Sequence, residues 1–291
     1  MFISIIITSW KEPRTIGKAI ESFLNQKIAL EHEIIVLAPD KETLDVAKKY
    51  KGIKTLKDQQ KGKPTALNLA FKKVKGDILI LTDGDVFVSK NSINELLKFF
   101  KDPKVGAVTA RPISINKKSN IFGYWSHVLT DEGAHKTRLQ KQKNNQFIVC
   151  SGYLYAIRNI IKSIPPESLS DDHIISEIIW KKGYKIKYAP RAEVYIKYPT
   201  NLKDWIKQKR RSAGGYMQIN NFIKKPIKMR SPMKEIAHGW YRPLIYAKTP
   251  KQLAWSLLLY PTRLYLWLII FKDIKIKRKK QFGWERIEST K

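Results

Sequence analysis

The sequence predicts an α/β fold in which helices cover a mostly parallel β-sheet. Across residues 1 to about 110, short continuous apolar runs alternate with segments of helical periodicity. A continuous apolar run is typical of a strand buried on both faces, as the strands of a parallel sheet are. Alternation of strands and helices at this spacing indicates parallel neighbours joined by helical crossovers. Asp40 and Asp83 each follow a strand, at the edge of the sheet where such folds bind ligands.

The elements of this first half follow in order. The strands are predicted at ISIIIT (3–8), EIIVLA (33–38), IKTL (53–56), DILILT (77–82) and VGAVTA (105–110). The helices are predicted at EPRTIGKAIESFLN (12–25), KETLDVAKKY (41–50), PTALNLAFKKV (64–74) and SINELLKFF (92–100). Ile16, Ile20 and Phe23 give the first helix its apolar face, and Pro64 suits the first turn of the third.

The pattern of residues 111–200 is mixed, as expected for the second half of the same domain. NNQFIVCSGYLYAIR (144–158) predicts strand, turn and strand, and SDDHIISEIIWKKGY (170–184) predicts a helix that Ser170 caps and Gly183 ends. KIKYAP (185–190) and AEVYIKYP (192–199) predict two further strands. Beyond residue 200, residues 201–225 predict a basic amphipathic helix that breaks at Gly214–Gly215.

The composition favours a folded, intracellular protein with anionic partners. Of 291 residues 43% are apolar, enough for a sizeable core, and one cysteine excludes an internal disulfide framework. The 56 Lys and Arg against 25 Asp and Glu give a net charge of +31. This charge suits nucleic acid, acidic lipid or phosphorylated substrates. A Lys- and Ile-rich composition is also typical of hyperthermophile proteins.

The stretch ILILTDGDVFVSK (78–90) carries the clearest chemical signal. Its buried strand leads directly into Asp83 and Asp85, which one glycine separates. A departing diphosphate needs its charge neutralised, and Mg²⁺ or Mn²⁺ does so through carboxylate and phosphate oxygens. The alternative is a turn whose aspartates only accept backbone N–H groups. The position after a buried strand favours the metal site.

Five motifs in order resemble glycosyltransferase family 2 across roughly residues 2–215. They are SIIITSWKE (4–12), GKPTALNLA (62–70), SGYLYAIR (151–158), SDD (170–172) and QKRRS (208–212), around the Asp-x-Asp pair. The likeness is greatest to the membrane-bound cellulose, chitin and hyaluronan synthase branch. It implies a GT-A fold with a catalytic domain over 1–200. In that domain 1–110 would bind the nucleotide sugar and 111–200 the acceptor, with interface helices and a hydrophobic basic tail over 201–291.

The resemblance also implies donor-side roles. Asp83 would contact the ribose or the metal, and Asp85 would bind the metal. Gln208 and Arg211 match the motif that closes over the diphosphate, although Ser212 replaces its tryptophan, which argues against synthesis of a long polymer. The remaining residues expected to contact the nucleotide are Thr8, Glu12, Asp40, Lys63 and Asn68.

On the acceptor side, Asp172 matches the general base of the family. An inverting enzyme needs a carboxylate near the attacking hydroxyl, whose own pKa is far above neutral. A helix cap with acids in the first turn is the structural alternative for this segment. The residues expected, more weakly, to face the acceptor are Ser151, Gly152, Tyr153 and Asp171.

Residues 252–271 form an apolar stretch that predicts membrane association. Pro261 and Arg263 interrupt it, and Lys or Arg residues flank it on both sides, with six between 272 and 280. A pair of short helices lying in or re-entering the interface satisfies these features, with aromatic rings at headgroup level and lysines on anionic lipid. A buried hydrophobic hairpin or an oligomer interface is the alternative.

Together these observations predict an inverting, Mg²⁺- or Mn²⁺-dependent glycosyltransferase on the cytoplasmic face of a membrane. The resemblance implies a UDP-sugar donor and a hydroxyl of a lipid-linked glycan as acceptor; a polyprenyl phosphate is the alternative acceptor. A nucleic-acid-binding protein is the alternative from another class, but no recognised binding motif supports it. An inactive scaffold is a third, against which the intact Asp83, Asp85 and Asp172 argue. The histidines, His238 included, show no metal-ligand spacing.

Overall fold

The computed structural model describes residues 1–227, 239–273 and 287–290. The chain divides into two compact units. The first comprises Met1–Pro112 and Lys141–Ile196, and the second comprises Ile113–Gln140 with the described part of Lys197–Lys291. Residues 113–140, which the sequence pattern assigns to the catalytic domain, therefore group with the C-terminal residues. His238 and most of the basic run 272–280 lie outside the described residues.

Within the described residues, one eight-stranded sheet forms the first unit, in the order β3-β2-β1-β4-β7-β6-β8-β5. The strands are β1 Ile3–Thr8, β2 His32–Ala38, β3 Ile53–Lys57, β4 Ile78–Asp83, β5 Phe87–Val88, β6 Val105–Ser114, β7 Leu154–Arg158 and β8 Lys185–Ile196. Strands β1 to β4 pair in parallel. The pairs β4–β7, β6–β7 and β5–β8 are antiparallel. The predicted α/β class is confirmed, with a parallel half and an antiparallel half.

Most of the described helices lie on segments predicted to be helical, whereas the sequence pattern predicts none at residues 121–143 or 242–246. The helices are α1 Ile16–Leu24, α2 Lys41–Lys48, α3 Lys63–Lys73, α4 Ser92–Leu97, α5 Ile121–His127, α6 Lys136–Lys143, α7 Asp171–Lys181, α8 Leu202–Phe222, α9 Arg242–Tyr246 and α10 Pro250–Phe271. A π-helical segment, Val128–His135, joins α5 to α6. Strands β1 and β4 are buried along nearly their whole length, as their continuous apolar runs predict.

Two strand predictions are wrong for identifiable reasons. Residues 146–150 are mostly buried but form no strand. The amide of Cys150 donates to Ser176 Oγ and that of Ser151 to Thr109 Oγ1, so side chains replace a β-ladder. The two strands expected over 185–199 are one strand, β8, because every second residue stays in phase across Pro190.

Two helix predictions are also wrong. Helix α8 runs unbroken through Gly214 and Gly215, both of which are buried. The expected pair of short helices over 252–271 is the single helix α10, which continues through Pro261. In the second unit, the buried residues of α10 pack with Tyr124, Trp125 and Trp205. This packing stabilises a helix whose internal proline would otherwise be unfavourable.

Candidate active site

The carboxyl ends of β1 and β4 meet at the same edge of the sheet. The register pairs Thr8 with Asp83. The Thr8 hydroxyl donates to the Asp83 carboxylate at 3.4 Å and to the Thr82 carbonyl at 3.2 Å. The Gly84 amide donates to the Thr8 carbonyl at 2.9 Å. Two parallel strands thus bring an expected nucleotide residue next to the Asp-x-Asp turn.

Gly84 is required by packing in the β1–α1 loop. A Cβ at this position would lie 2.5 Å from Ser9 Oγ and 3.0 Å from Glu12 Oε2. The Ser9 hydroxyl donates to Glu12 Oε2 at 2.8 Å, which holds the buried Glu12 in this position. Any larger residue would displace this pair and, with it, the turn that carries Asp83 and Asp85.

Lys63, the first residue of α3, is the centre of a charged cluster. The other members of this cluster are Asp83, Asp171 and Asp172. Its ammonium donates to Asp83 Oδ1 at 2.6 Å and to the Gly152 carbonyl at 3.4 Å, and it lies 3.5 Å from Asp171 Oδ2. Its side chain is 13% exposed. Burial opposes the charge, but Asp171 and Asp83 outweigh burial and raise the pKa of Lys63 above its usual value. Lys63 is therefore positively charged and is fixed in position by these partners.

Asp171, at the start of α7, is a buried carboxylate. The Tyr155 hydroxyl donates to its Oδ2 at 3.4 Å. Burial raises the pKa of Asp171 to about 6; Lys63 lowers it, while Asp172 and Asp83 raise it further. The pKa of Tyr155 lies well above its usual value, chiefly because of burial and then because of Asp171. Tyr155 accordingly stays a hydrogen-bond donor to the carboxylate.

Asp172 is oriented by three donors. Gly152 N–H donates to Oδ2 at 2.9 Å, and Ser170 Oγ and His173 N–H donate to Oδ1 at 2.7 and 2.8 Å. Ser170 thus uses its hydroxyl on Asp172, and the expected cap on the helix backbone is not formed. A fixed carboxylate is what a general base requires.

Gly152 connects the two halves of the cluster. Its carbonyl faces Lys63 and its amide faces Asp172, so one peptide segment lies between the donor-side cation and the expected base. A Cβ on Gly152 would lie 3.2 Å from Asp172 Oδ2. Tyr153, the next residue, accepts at its carbonyl from Thr82 Oγ1 at 2.7 Å, which ties this segment to β4.

Other expected nucleotide residues have structural partners. Asp40 caps α2: its Oδ1 accepts from Thr43 N–H at 2.9 Å and its Oδ2 from Lys11 N–H at 2.8 Å. Asn68 pairs twice with the backbone of Ile164, as donor and as acceptor, each at 2.8 Å. These contacts position loops around the site. The roles of Asp40 and Asn68 toward a nucleotide stay predictions.

Gln208 and Arg211 lie on α8 in the second unit, where Gln208 is buried. Their expected role also stays a prediction. In the first unit, the structure adds three residues to the site that the sequence pattern does not assign: Ser9 on Glu12, Ser170 on Asp172 and Tyr155 on Asp171. The two serine contacts could have been found in the sequence, because each serine lies within three residues of its partner. The Tyr155 contact could not, because Asp171 lies on a different element.

The residues at the turn fit a divalent cation shared with a ligand. Among the described residues, no group of three or more His, Cys, Asp or Glu side chains could hold an ion. Asp83 and Asp85 supply hard oxygen atoms on either side of Gly84. Mg²⁺ typically takes one or two carboxylates and completes its shell with substrate phosphates and water. The donor set fits such an ion and does not fit a metal held by protein side chains alone.

Comparison with known families decides the classification. The family model described as "Glycosyltransferase like family 2" matches residues 2–215. The chain belongs to glycosyltransferase family 2. The match spans the Asp-x-Asp turn, Asp172 and most of α8. The family resemblance seen in the sequence is confirmed.

The family 2 chain is similar to longer curated proteins. It is 27% identical over 163 residues to hyaluronan synthase of Streptococcus pyogenes, a match that covers 52% of this chain and 39% of that protein. It is 28% identical over 238 residues to poly-beta-1,6-N-acetyl-D-glucosamine synthase of Staphylococcus aureus, covering 75% of this chain and 55% of that protein. The chain therefore matches about half or less of each relative's length.

Solved structures share the fold. The mannosyltransferase PcManGT from Pyrobaculum calidifontis, in complex with GDP-Man and Mn²⁺, aligns with a TM-score of 0.61 at 17% identity and covers 95% of this chain and 81% of its own. S. aureus TarS 1-349 aligns with a TM-score of 0.52 at 15% identity, covering 95% and 82%. The predicted GT-A fold is confirmed.

Proposed function

We propose that this family 2 protein is an inverting, metal-dependent glycosyltransferase. It transfers a sugar from a nucleotide-diphosphate sugar to a hydroxyl of a membrane- or lipid-linked glycan. The observation that carries the proposal is the continuous set of contacts from Asp83 through Lys63 and Gly152 to Asp172. A donor-side cation and an oriented carboxylate are the two groups that displacement of a diphosphate by a hydroxyl requires.

On the donor side, Asp83 and Asp85 would hold Mg²⁺ or Mn²⁺. The bound ion would supply charge neutralisation of the diphosphate. Thr8 and Glu12 would line the nucleotide pocket beside them. Lys63, a buried cation before the donor arrives, adds a preorganised positive charge where negative charge develops on the leaving group. UDP-sugars are the first choice of donor, and a GDP-sugar is the second because GDP-Man occupies the P. calidifontis structure.

On the acceptor side, Asp172 would take the proton of the attacking hydroxyl. Its carboxylate is already held by Ser170 and by the amides of Gly152 and His173, so little reorganisation is needed at the moment of reaction. A phosphate acceptor is ionised and needs no base. The acceptor class therefore determines how strongly the reaction depends on Asp172.

The second unit supports the proposal of a membrane-linked acceptor. Among the described residues, α10 is the helix whose length and composition would suffice to cross a bilayer. It exposes an apolar stripe, defined by Leu253, Leu257, Leu264, Leu268 and Phe271. The spacing of these residues puts them on one side of the helix.

The opposite side of α10 is packed within the second unit. Leu259, Leu266 and Ile270 are buried there, and the Ser256 hydroxyl lies 2.8 Å from that of Tyr124. Arg263, four residues after Leu259, shares this side. A helix with one packed side and one apolar side suits the membrane interface, where the apolar stripe inserts and flanking lysines contact anionic headgroups.

A donor and acceptor panel tests the proposed function. UDP- and GDP-sugars are incubated with the protein, with Mg²⁺, Mn²⁺ or EDTA, and with either a lipid-linked glycan or a polyprenyl phosphate. We expect metal-dependent transfer to the glycan, lost in Asp172→Asn. Transfer to the phosphate that survives Asp172→Asn would instead support a polyprenyl phosphate sugar synthase. Release of no nucleoside diphosphate from any donor would contradict the proposal.

A further inference from the structure

Tyr155 and Asp171 form a buried pair next to Lys63. The proposed chemistry does not use this pair directly. Tyr155 has no exposed surface, and the Asp171 side chain is 12% exposed. Burying a carboxylate is costly unless it is paired. The two partners that the cluster offers Asp171 are the Tyr155 hydroxyl at 3.4 Å and the Lys63 ammonium at 3.5 Å.

We infer that Asp171 and Tyr155 are positioning residues that hold the Lys63 ammonium in place. An ammonium has three protons to donate, and Lys63 has three acceptors around it. These acceptors are the Asp83 carboxylate, the Gly152 carbonyl and the Asp171 carboxylate. A flexible lysine stem loses considerable rotamer entropy when it is fixed, so a second anion is needed to keep it at one position. This inference rests on the proposed function, in which Lys63 stabilises the leaving diphosphate.

The geometry gives Asp171 a different role from its neighbour. Asp172 accepts from Gly152 N–H and Ser170 Oγ, whereas Asp171 points to Lys63 and Tyr155. Asp171 therefore acts on the donor side through Lys63, and not on the acceptor side where the sequence pattern had put it. Two adjacent carboxylates at one helix start would then serve two halves of the reaction.

The first test needs no substrate and measures thermal unfolding of unliganded protein. Lys63→Met leaves the buried Asp171 and the partly exposed Asp83 without their cation, which lowers Tm. Asp171→Asn then removes one of these unpaired charges. We expect it to raise the Tm of Lys63→Met by at least about 3 °C more than it changes the Tm of wild type. Equal changes in the two backgrounds would overturn the inference. Lys63→Gln replaces Lys63→Met if the latter does not fold.

The second test measures kinetics of the same four proteins and of Tyr155→Phe. Asp171→Asn should lower kcat about 10- to 100-fold, less than the loss of a transition-state donor itself because Lys63 remains, with a change in donor KM below about 3-fold. Tyr155→Phe should lower kcat about 3- to 10-fold. In the Lys63→Met background, Asp171→Asn should cause no further loss, since both residues act through the same ammonium. A loss that persists there would overturn the inference.

Two matched controls separate positioning from general damage. Tyr195→Phe removes a tyrosine hydroxyl that donates to Glu193 at 3.2 Å, and Asp45→Asn removes a surface carboxylate that pairs with Lys41 and Lys48. Both should leave kcat within about 2-fold, because neither contact includes Lys63, Asp83, Asp171 or Asp172 and the pairs of Asp45 lie at the surface. If wild type transfers no sugar, the proposed function fails while the unfolding test still decides whether Asp171 holds Lys63.

Discussion

The charged cluster of the first unit and the helix α10 of the second unit depart from ordinary protein surfaces in opposite ways. Around Lys63, charged groups are buried and held by named partners. Along α10, Leu257, Leu264 and Leu268 are each more than half exposed. Soluble proteins seldom bury charges or expose contiguous apolar stripes. Both departures are costly for the protein alone, and each would become favourable if the proposed partner bound.

The difference between the two regions indicates which kind of partner each would bind. Buried charges that are already oriented suit a polyanion with a cation, because preorganised groups need no rearrangement during the reaction. An exposed apolar stripe suits a lipid surface, because its insertion removes apolar area from water. The first region is expected to govern turnover and the second to govern location.

Asp172→Asn should separate turnover from binding most sharply. Loss of the general base should lower kcat for a hydroxyl acceptor about 10²- to 10⁴-fold, while donor affinity stays within about 3-fold. Initial-rate kinetics and nucleotide calorimetry measure the two quantities. Ser170→Ala is the matched variant, since it removes one hydrogen bond to Asp172 and keeps the carboxylate. If Asp172→Asn kept nearly full activity on a glycan, Asp172 would not be the general base.

The α10 stripe is tested by placing charge on it. The variant with Leu257→Glu, Leu264→Glu and Leu268→Glu should lose binding to vesicles of phosphatidylcholine and phosphatidylglycerol by about 10-fold or more per residue, since each leucine contributes about 1.5 kcal/mol or more on burial. Sedimentation with vesicles measures this loss. Leu24→Glu, on the exposed side of α1, is the control and should change binding little. Unchanged binding of the triple variant would show that α10 does not contact lipid.

Gly84→Ala tests whether packing fixes the Asp-x-Asp turn. The added methyl group meets Ser9 and Glu12 and should cost about 1–3 kcal/mol of unfolding free energy, with weaker metal-dependent nucleotide binding. Denaturant unfolding and calorimetry check both. Gly133→Ala is the matched control, because its Cβ would meet nothing within 4 Å, and it should be neutral or slightly stabilising. Equal effects at the two glycines would contradict the packing argument.

The smallest expected effect is the pH dependence that Asp171 contributes to stability. Its pKa in the folded protein is about 6, above the usual aspartate value. The folded state therefore binds this proton more tightly than the unfolded state, and stability falls as pH rises from about 4 to about 6. The stability of Asp171→Asn relative to wild type should therefore increase between about pH 4 and about pH 6 and stay constant outside that range. Unfolding at several pH values measures the difference; a constant difference would contradict the assignment.

The parts of the molecule that depend on local sequence could be predicted. Strands β1 and β4 are continuous apolar runs, and the Asp-x-Asp pair begins at the end of β4. Residues 146–150 look the same in sequence, yet their backbone partners are side chains such as Ser176 on a distant helix. The link from Lys63 to Asp171 likewise joins residues far apart in the chain. A single sequence carries no signal for such pairings.

The most direct test of the central claim is the location of a manganese ion beside a bound nucleoside diphosphate. Crystals soaked with Mn²⁺ and UDP or GDP would be measured by anomalous diffraction. The account predicts an ion in direct contact with the Asp85 carboxylate, at roughly 2.0–2.3 Å, that also contacts the diphosphate. A manganese peak away from both Asp83 and Asp85, with nucleotide bound, would contradict it.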